Sequence, residues 1–220
     1  RLVGHRIMRI ATHAAVRSRG LGSKLLDEIH DELVDTDWFG AGYGATPRLV
    51  DFWRRNGYGT VHLSATRNAS SGEHSAIMLR PVTDEGASLH DRHARWFARR
   101  IVAVLSDALT DIDPDIVRAV CRATDTMVDL ELTPDDWRLV AGAAYGPGLF
   151  DIDPGPFRQL ARKHLVDPDD PDVLTVDQER LIIKKVLQAV PWGTVAVDLG
   201  YPSHRQCMRA LGATYRPLID

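Results

Sequence analysis

The sequence predicts an α/β domain followed by an all-α tail. Up to about residue 80, short apolar runs typical of strands alternate with segments that have helical apolar spacing. From residue 84 onward the apolar spacing is helical to the end of the chain. The turn-rich segment 81–86 separates the two patterns. We therefore expect a first domain over residues 1–83 and a helical tail over residues 84–220.

The first elements are a strand, a loop and a helix. Residues 7–12 favour a strand, and residues 17–22 form a polar loop that contains glycine. The spacing over residues 22–33 predicts a helix, with Leu25, Leu26, Ile29 and Leu33 on its apolar face.

A strand–helix–strand–strand series follows. Residues 38–43 favour a second strand, and Thr46-Pro47 is a strong helix start because Thr caps the first turn and Pro fits it. That helix has an apolar, core-facing side formed by Leu49, Val50, Phe52 and Trp53, and it should end at Asn56-Gly57. Two further strands are predicted over residues 61–66 and 75–79, joined by the polar loop 67–74.

The tail begins with a long amphipathic helix over residues 89–109, whose inward face is predicted to be Trp96, Phe97, Ile101, Val104 and Leu105. Further helices should start after Thr133 and Thr175. The tetrapeptide Asp-Ile-Asp-Pro occurs at residues 111–114 and 151–154, where helix caps and turns explain it better than a metal site. Residues 194–212 resemble a helix-turn-helix.

The composition excludes several classes of protein. No apolar run is long enough to cross a membrane, and no secretion signal is visible, so we expect a cytoplasmic protein without a membrane partner. The two cysteines form no CxxC pair, so neither zinc nor any other metal is expected. The first residue is Arg1 rather than Met, which indicates a fragment. The net charge of −3 does not exclude RNA binding, since arginines can cluster locally.

The loop Arg-Ser-Arg-Gly-Leu-Gly at residues 17–22 predicts a phosphate cradle. Glycines allow the backbone to approach a ligand closely, and successive N–H groups at a helix start point towards an anion. Its R-x-x-G-x-G spacing resembles the pyrophosphate loop of the GNAT acetyltransferases, which bind acetyl-CoA. An ordinary strand–helix turn is the alternative on this motif alone.

Three segments resemble a narrower family. They are residues 9–13, residues 42–58 with Gly-Tyr-Gly-Ala-Thr-Pro and Phe-Trp-Arg-Arg-Asn-Gly-Tyr, and residues 67–76 with Arg-Asn-Ala-Ser-Ser-Gly-Glu-His-Ser-Ala. Together they resemble the tRNA(Met) cytidine acetyltransferases, which make N4-acetylcytidine from acetyl-CoA and ATP.

The resemblance implies a partial GNAT fold, a mixed sheet with flanking helices, of which residues 1–83 are the C-terminal half. The implied partners are tRNA, with rRNA as a second candidate, and an upstream helicase-like ATPase domain. No G-x-x-x-x-G-K-[ST] motif is present, so we expect that domain to be absent from this chain. The implied acetyl-CoA-binding residues are Ile10, Ala11, Thr12, Arg17, Ser18, Arg19, Gly20, Leu21, Gly22, Ser23, Trp53, Arg54 and Asn56.

The catalytic candidates are His74, Glu73 and, more weakly, His13. In many GNAT enzymes a tyrosine protonates the leaving thiolate, and this sequence has Trp53 at that position, whose indole is a far poorer acid. Tyr43 and Tyr58 are possible substitutes. The candidate RNA-binding residues are Arg67, Asn68, Arg92, Arg95, Arg99, Arg205 and Arg209.

Three functions stay open at this point. The first is acetylation of cytidine in RNA by the enzyme of which this chain is the C-terminal part. The second is a GNAT enzyme that acts on a protein or a small amine, and the third is a non-catalytic nucleic-acid-binding module. Binding of acetyl-CoA at residues 17–22 would exclude the third.

Overall fold

A computed structural model describes residues 1–69 and 71–220. Ser70, which belongs to the third segment of the family resemblance, lies outside the described residues. The chain divides into two compact units, residues 1–97 with 123–125 and residues 98–122 with 126–220. The functional boundary predicted between residues 83 and 84 stays a prediction.

The first unit is built on a mixed four-stranded sheet, as the sequence predicts. Its strands are β1 (Gly4–Ile7), β2 (Trp38–Gly44), β3 (Gly59–Arg67) and β4 (His74–Pro81), in the order β1-β2-β4-β3. β1 and β2 are parallel, and β4 is antiparallel to both β2 and β3. The helices of this part are α1 (Leu21–Glu32), α2 (Pro47–Arg55) and the start of α3 (Asp84–Leu105). The fold class is therefore confirmed for this unit.

The first strand differs from its prediction. Pairing with β2 runs from Gly4 to Ile7, opposite Trp38 to Ala41, and residues 8–13 have no regular structure. The short 3-10 turn Ala14–Val16 follows. β2 continues to Gly44, so the chain leaves the edge of β2 after Ile7 although β2 backbone extends beyond that point. The apolar residues within 7–12 could not reveal where this pairing ends.

The apolar faces of two helices also differ from their predictions. Leu25 was expected to face inward but is 47% exposed, whereas Leu26 is fully buried. Trp96 on α3 was expected to face inward but is 46% exposed. The buried residues of α3 recur every four positions, at Phe97, Ile101 and Leu105. Trp96 lies about 100° from that row on a helix of 3.6 residues per turn.

The second unit consists of helices, as predicted. They are α4 (Pro114–Arg122), α5 (Pro134–Tyr145), α6 (Gly155–Val166), α7 (Val176–Leu181), which continues into a π-helical turn (Ile182–Leu187), α8 (Trp192–Asp198) and α9 (His204–Ile219). Both predicted helix starts are capping boxes, at Thr133 and Thr175.

The first Asp-Ile-Asp-Pro segment caps α4, and the second forms a side-chain-bonded turn just before α6. Asp113 Oδ1 accepts a hydrogen bond from the Asp115 amide at 2.7 Å, and Asp153 Oδ1 accepts one from the Gly155 amide at 2.8 Å. Over residues 1–69 and 71–220, no group of three His, Cys, Asp or Glu side chains is placed to hold a metal ion. Within the same residues, no helix has the length and apolar character needed to cross a membrane.

Candidate functional site

A cavity of about 590 Å³ lies in the first unit, between the loop that precedes α1 and one face of α2. The loop and the start of α1 contribute residues 10–12, 16–18 and 20–23 to its wall. The opposite wall consists of Arg48, Leu49, Phe52 and Arg55. The predicted phosphate cradle is therefore part of a real concave site.

The backbone of the loop suits an anion. Ser18 has a φ of 61° and Gly20, which caps α1, has a φ of 78°. No side chain caps the first turn of α1, and that turn contains no acidic residue. The first amides of a helix have no intrahelical acceptor, so these N–H groups are available to a ligand at the positive end of the helix.

Two glycines of the loop have different roles. Gly20 has a left-handed backbone conformation, which favours glycine. Packing does not explain this glycine, because an added β-carbon would meet no other atom within 4 Å. Gly22 is required for packing, because its β-carbon would lie 3.2 Å from Cε2 of Phe52. A side chain at position 22 would therefore crowd the Phe52 ring, which would have to shift by a few tenths of an ångström.

The cavity wall is strongly cationic. Arg17, Arg48 and Arg55 line it, and none of its lining residues is acidic. Arg48 Nη2 donates to Ser18 Oγ at 2.9 Å, which ties the start of α2 to the loop. This arrangement can neutralise a ligand that has several negative charges.

Nine of the thirteen predicted acetyl-CoA residues line the cavity: Ile10, Ala11, Thr12, Arg17, Ser18, Gly20, Leu21, Gly22 and Ser23. The other four do not. Arg19 is an exposed residue of the loop. Arg54 pairs with Asp51 at 3.0 Å. The side-chain amide of Asn56 donates to the carbonyl of Phe52 at 2.7 Å. Trp53 is 4% exposed and packs edge-on against Tyr58 in the core.

Sequence reasoning missed five residues of the wall, namely Val16, Arg48, Leu49, Phe52 and Arg55. The four residues on α2 have the spacing i, i+1, i+4 and i+7, which places them on one helical face. That spacing was visible in the sequence, but Leu49 and Phe52 were assigned to the core-facing side.

His74 is buried and bonded to the neighbouring strand. It is 3% exposed, and its Nδ1 lies 2.9 Å from the carbonyl oxygen of Ser64. A carbonyl only accepts, so Nδ1 has the proton and Nε2 is an acceptor. Nε2 is buried, and no hydrogen-bond partner for it is present among the described residues.

The other two catalytic candidates are exposed. Glu73 directly precedes β4, and its carboxylate lies over the α-carbon of Gly44 at the end of β2. His13 caps the 3-10 turn, where its Nδ1 accepts from the amide of Ala15 at 3.3 Å. His13 therefore has a structural role in this turn.

Of the two tyrosines, Tyr58 is buried in the core of the first unit and Tyr43 is half-buried. The Tyr43 hydroxyl donates to Sδ of Met78 at 2.7 Å, and burial raises its pKa. The Tyr58 hydroxyl lies 3.0 Å from Nε2 of His30, and burial raises the pKa of Tyr58 to about 12. Neither tyrosine lines the cavity.

The predicted RNA-binding residues are distributed over both units. Arg67 Nη1 donates to the carbonyl of Gly72 at 3.1 Å, and the Asn68 amide donates to the carbonyl of Glu73, so both stabilise the β3–β4 loop. Arg92 and Arg95 are exposed in the first unit. The exposed members in the second unit are Arg99, Arg205 and Arg209.

The predicted helix-turn-helix segment corresponds to α8, residues 199–203 and α9. Gly200 has a φ of 73° in the turn, and Ser203 caps α9 by accepting from the Gln206 amide at 3.3 Å. Contact of these helices with nucleic acid stays a prediction.

Comparison with known proteins finds one matching family model and several named relatives. Residues 30–83 match the family model described as GNAT acetyltransferase 2. The chain is 57% identical over 96% of its length to a protein of Haloarcula marismortui named tRNA(Met) cytidine acetyltransferase TmcA, of which it covers 27%. It is 54% identical over 99% of its length to the Haloferax volcanii protein of that name, covering 29% of it.

A more distant relative with the same name, from Pyrococcus furiosus, is 33% identical over 100% of this chain, which covers 28% of that relative. The chain thus spans less than a third of the length of these relatives. Within that segment, the chain is similar to proteins named tRNA(Met) cytidine acetyltransferase, and it contains a GNAT-type domain together with a helical C-terminal region.

Proposed function

We propose that the cavity binds acetyl-CoA, and that the protein transfers the acetyl group to N4 of a cytidine in tRNA. The observation that carries the proposal is the coincidence of three features in one cavity. These are uncapped amides at the start of α1, three arginines and no acidic residue in the wall. The names of the relatives supply the reaction and the RNA substrate.

The cavity residues would hold acetyl-CoA by two kinds of contact. The amides of residues 20–23, together with Arg17 and Arg48, would bind the pyrophosphate. Residues 10–12 lie beyond the end of β1 and have no strand partner among the described residues. Their backbone groups are therefore available to the amides of the pantetheine arm.

Acetyl-CoA supplies an acetyl thioester, and the protein must position the acceptor and take up a proton. The N4 amine of cytosine is a poor nucleophile, so positioning should contribute most of the acceleration. We assign proton uptake to Glu73, because its carboxylate is exposed whereas His74 is buried. His74 then has a positioning role, since its bond to Ser64 ties β4 to β3.

The RNA substrate must present an unstacked cytosine, because N4 is otherwise paired inside a duplex. The exposed arginines on α3 and α9 would bind the phosphates of the tRNA. An ATP-dependent helicase-like domain in the same protein would supply the unwinding. Among RNA substrates, rRNA is the second candidate, and modification assays on both RNAs distinguish them.

The test is calorimetric titration of the full chain with acetyl-CoA, comparing Gly20→Glu with Gly200→Glu. Both glycines have a positive φ and open space around the added β-carbon, so both variants add similar strain and the same charge. Of the two variants, only Gly20→Glu should abolish acetyl-CoA binding, because it places a carboxylate in the phosphate cradle.

Adding tRNA to the parent chain and assaying N4-acetylcytidine then tests the reaction itself. Absence of acetyl-CoA binding by the parent chain, or equal effects of the two substitutions, would refute the assignment of the cavity. Binding followed by acetylation of a protein or a small amine, but not of RNA, would favour the second function.

A further inference from the structure

The cavity has more positive charge than a pyrophosphate alone requires. Arg17 and Arg48 lie with the loop, Arg48 through its bond to Ser18. Arg55 lines the same cavity from the other end of α2. We propose that Arg55 forms a separate subsite for a phosphomonoester, the 3′-phosphate on the ribose of CoA. This inference rests on the proposed binding of acetyl-CoA.

The position of Arg55 separates it from the cradle. Arg48 and Arg55 are seven residues apart, which is about two turns or about 10 Å along the helix axis, and both lie on nearly the same face. The hydrogen bond from Arg48 to Ser18 places Arg48 at the phosphate cradle, so Arg55 lies farther from the cradle along α2. A second anionic group, one ribose away from the pyrophosphate, would meet the next cation along the wall.

The guanidinium of Arg55 is held in place by Asp51, yet it has N–H donors left for a ligand. Its Nη2 lies 3.0 Å from Asp51 Oδ2, and its Nε donates to the carbonyl of Asp51 at 3.4 Å. A guanidinium has five N–H donors, so others remain for a phosphate. The side chain is 66% exposed, which places the subsite at the mouth of the cavity rather than in its interior.

Arg54 provides a matched comparison. It also pairs with Asp51 at 3.0 Å, and its side chain is 52% exposed, but it does not line the cavity. The two neighbouring arginines thus share a partner, a helix and a similar exposure. Only their position relative to the cavity differs.

The experiment is calorimetric titration of the full chain with CoA and with 3′-dephospho-CoA. The parent chain should bind CoA about three- to tenfold more tightly, a modest factor because water screens an exposed contact. Arg55→Gln should bring the ratio of the two dissociation constants close to one, mainly by weakening the binding of CoA. Arg54→Gln should leave the ratio unchanged.

A second readout is the pH dependence of the ratio. A phosphomonoester takes up a proton near pH 6, so discrimination in the parent chain should decrease below about pH 6. A ratio of one in the parent chain, or an unchanged ratio in Arg55→Gln, would overturn the subsite while leaving acetyl-CoA binding intact. Failure of both ligands to bind would overturn the proposed function together with the subsite.

Discussion

Glu179 is the most deeply buried acid of the second unit, and its removal should be costly. It lies on α7, is 1% exposed, and accepts from Arg122 Nη2 at 2.6 Å and from His164 Nε2 at 2.8 Å. Arg118 Nη1 lies 3.7 Å from its second oxygen. Glu179→Gln keeps the shape of the side chain but leaves Arg122 without its carboxylate partner, whereas Arg118 keeps Asp115 at 3.6 Å.

Breaking a buried ion pair from one side typically costs about 3–5 kcal/mol. The side chain of Arg122 is 28% exposed, so water can partly solvate it after the substitution. We therefore expect Glu179→Gln to lower the free energy of unfolding by about 3 kcal/mol. Urea unfolding followed by helical circular dichroism measures this loss. Asp177→Asn on the same helix is the control, and it should cost less than about 1 kcal/mol because Asp177 is exposed.

The pH dependence gives an independent check. Burial opposes ionisation of Glu179, but hydrogen bonds from His164 and Arg122 outweigh it, and the pKa of Glu179 is lowered. Its contribution to stability is therefore present above the ordinary glutamate pKa of about 4.3 and is lost as the pH falls through the lowered value. The parent chain and Glu179→Gln should converge in stability below that pH. A loss no larger than that of the control, or a gap that widens in acid, would refute this reasoning.

Three further predictions concern the cavity. Gly22→Val should weaken acetyl-CoA binding about tenfold, because the added side chain crowds Phe52 and both residues line the cavity; an unchanged dissociation constant would contradict the packing role of Gly22. Arg48→Ala should weaken the binding of acetyl-CoA about five- to twentyfold, and this effect should be smaller in high salt. Titrations at two salt concentrations test this. Glu73→Gln should lower kcat for tRNA acetylation about 100-fold without changing the dissociation constant of acetyl-CoA, and retained kcat would exclude Glu73 as the base.

The place of the loop over residues 17–22 in a cavity wall could be predicted because its signal is local. A short run of glycines and arginines before a helix fixes both the backbone and the charge that a phosphate needs, whatever the rest of the chain does. Residues 17, 18 and 20–23 lie in the cavity wall, and phosphate binding there stays a prediction. The same locality explains why the helix starts at Thr133 and Thr175 were found from the sequence.

The far wall of the cavity could not be predicted with the same certainty. Phe52 and Trp53 are both large and aromatic, and the sequence does not say which of two neighbours turns inward. The structure buries Trp53 and turns Phe52 to the cavity, a difference of about 100° around α2. The end of β1 at Ile7 likewise depends on where the chain leaves the edge of β2, a strand from a distant part of the chain that itself continues to Gly44.

The most direct test of the cavity's role is amide hydrogen exchange of the full chain with and without acetyl-CoA. The amides of residues 20–23 should exchange more slowly when acetyl-CoA is bound, because the ligand would accept their hydrogen bonds. Protection should also extend to residues 10–12. Unchanged exchange at both segments in the presence of saturating acetyl-CoA would contradict the account.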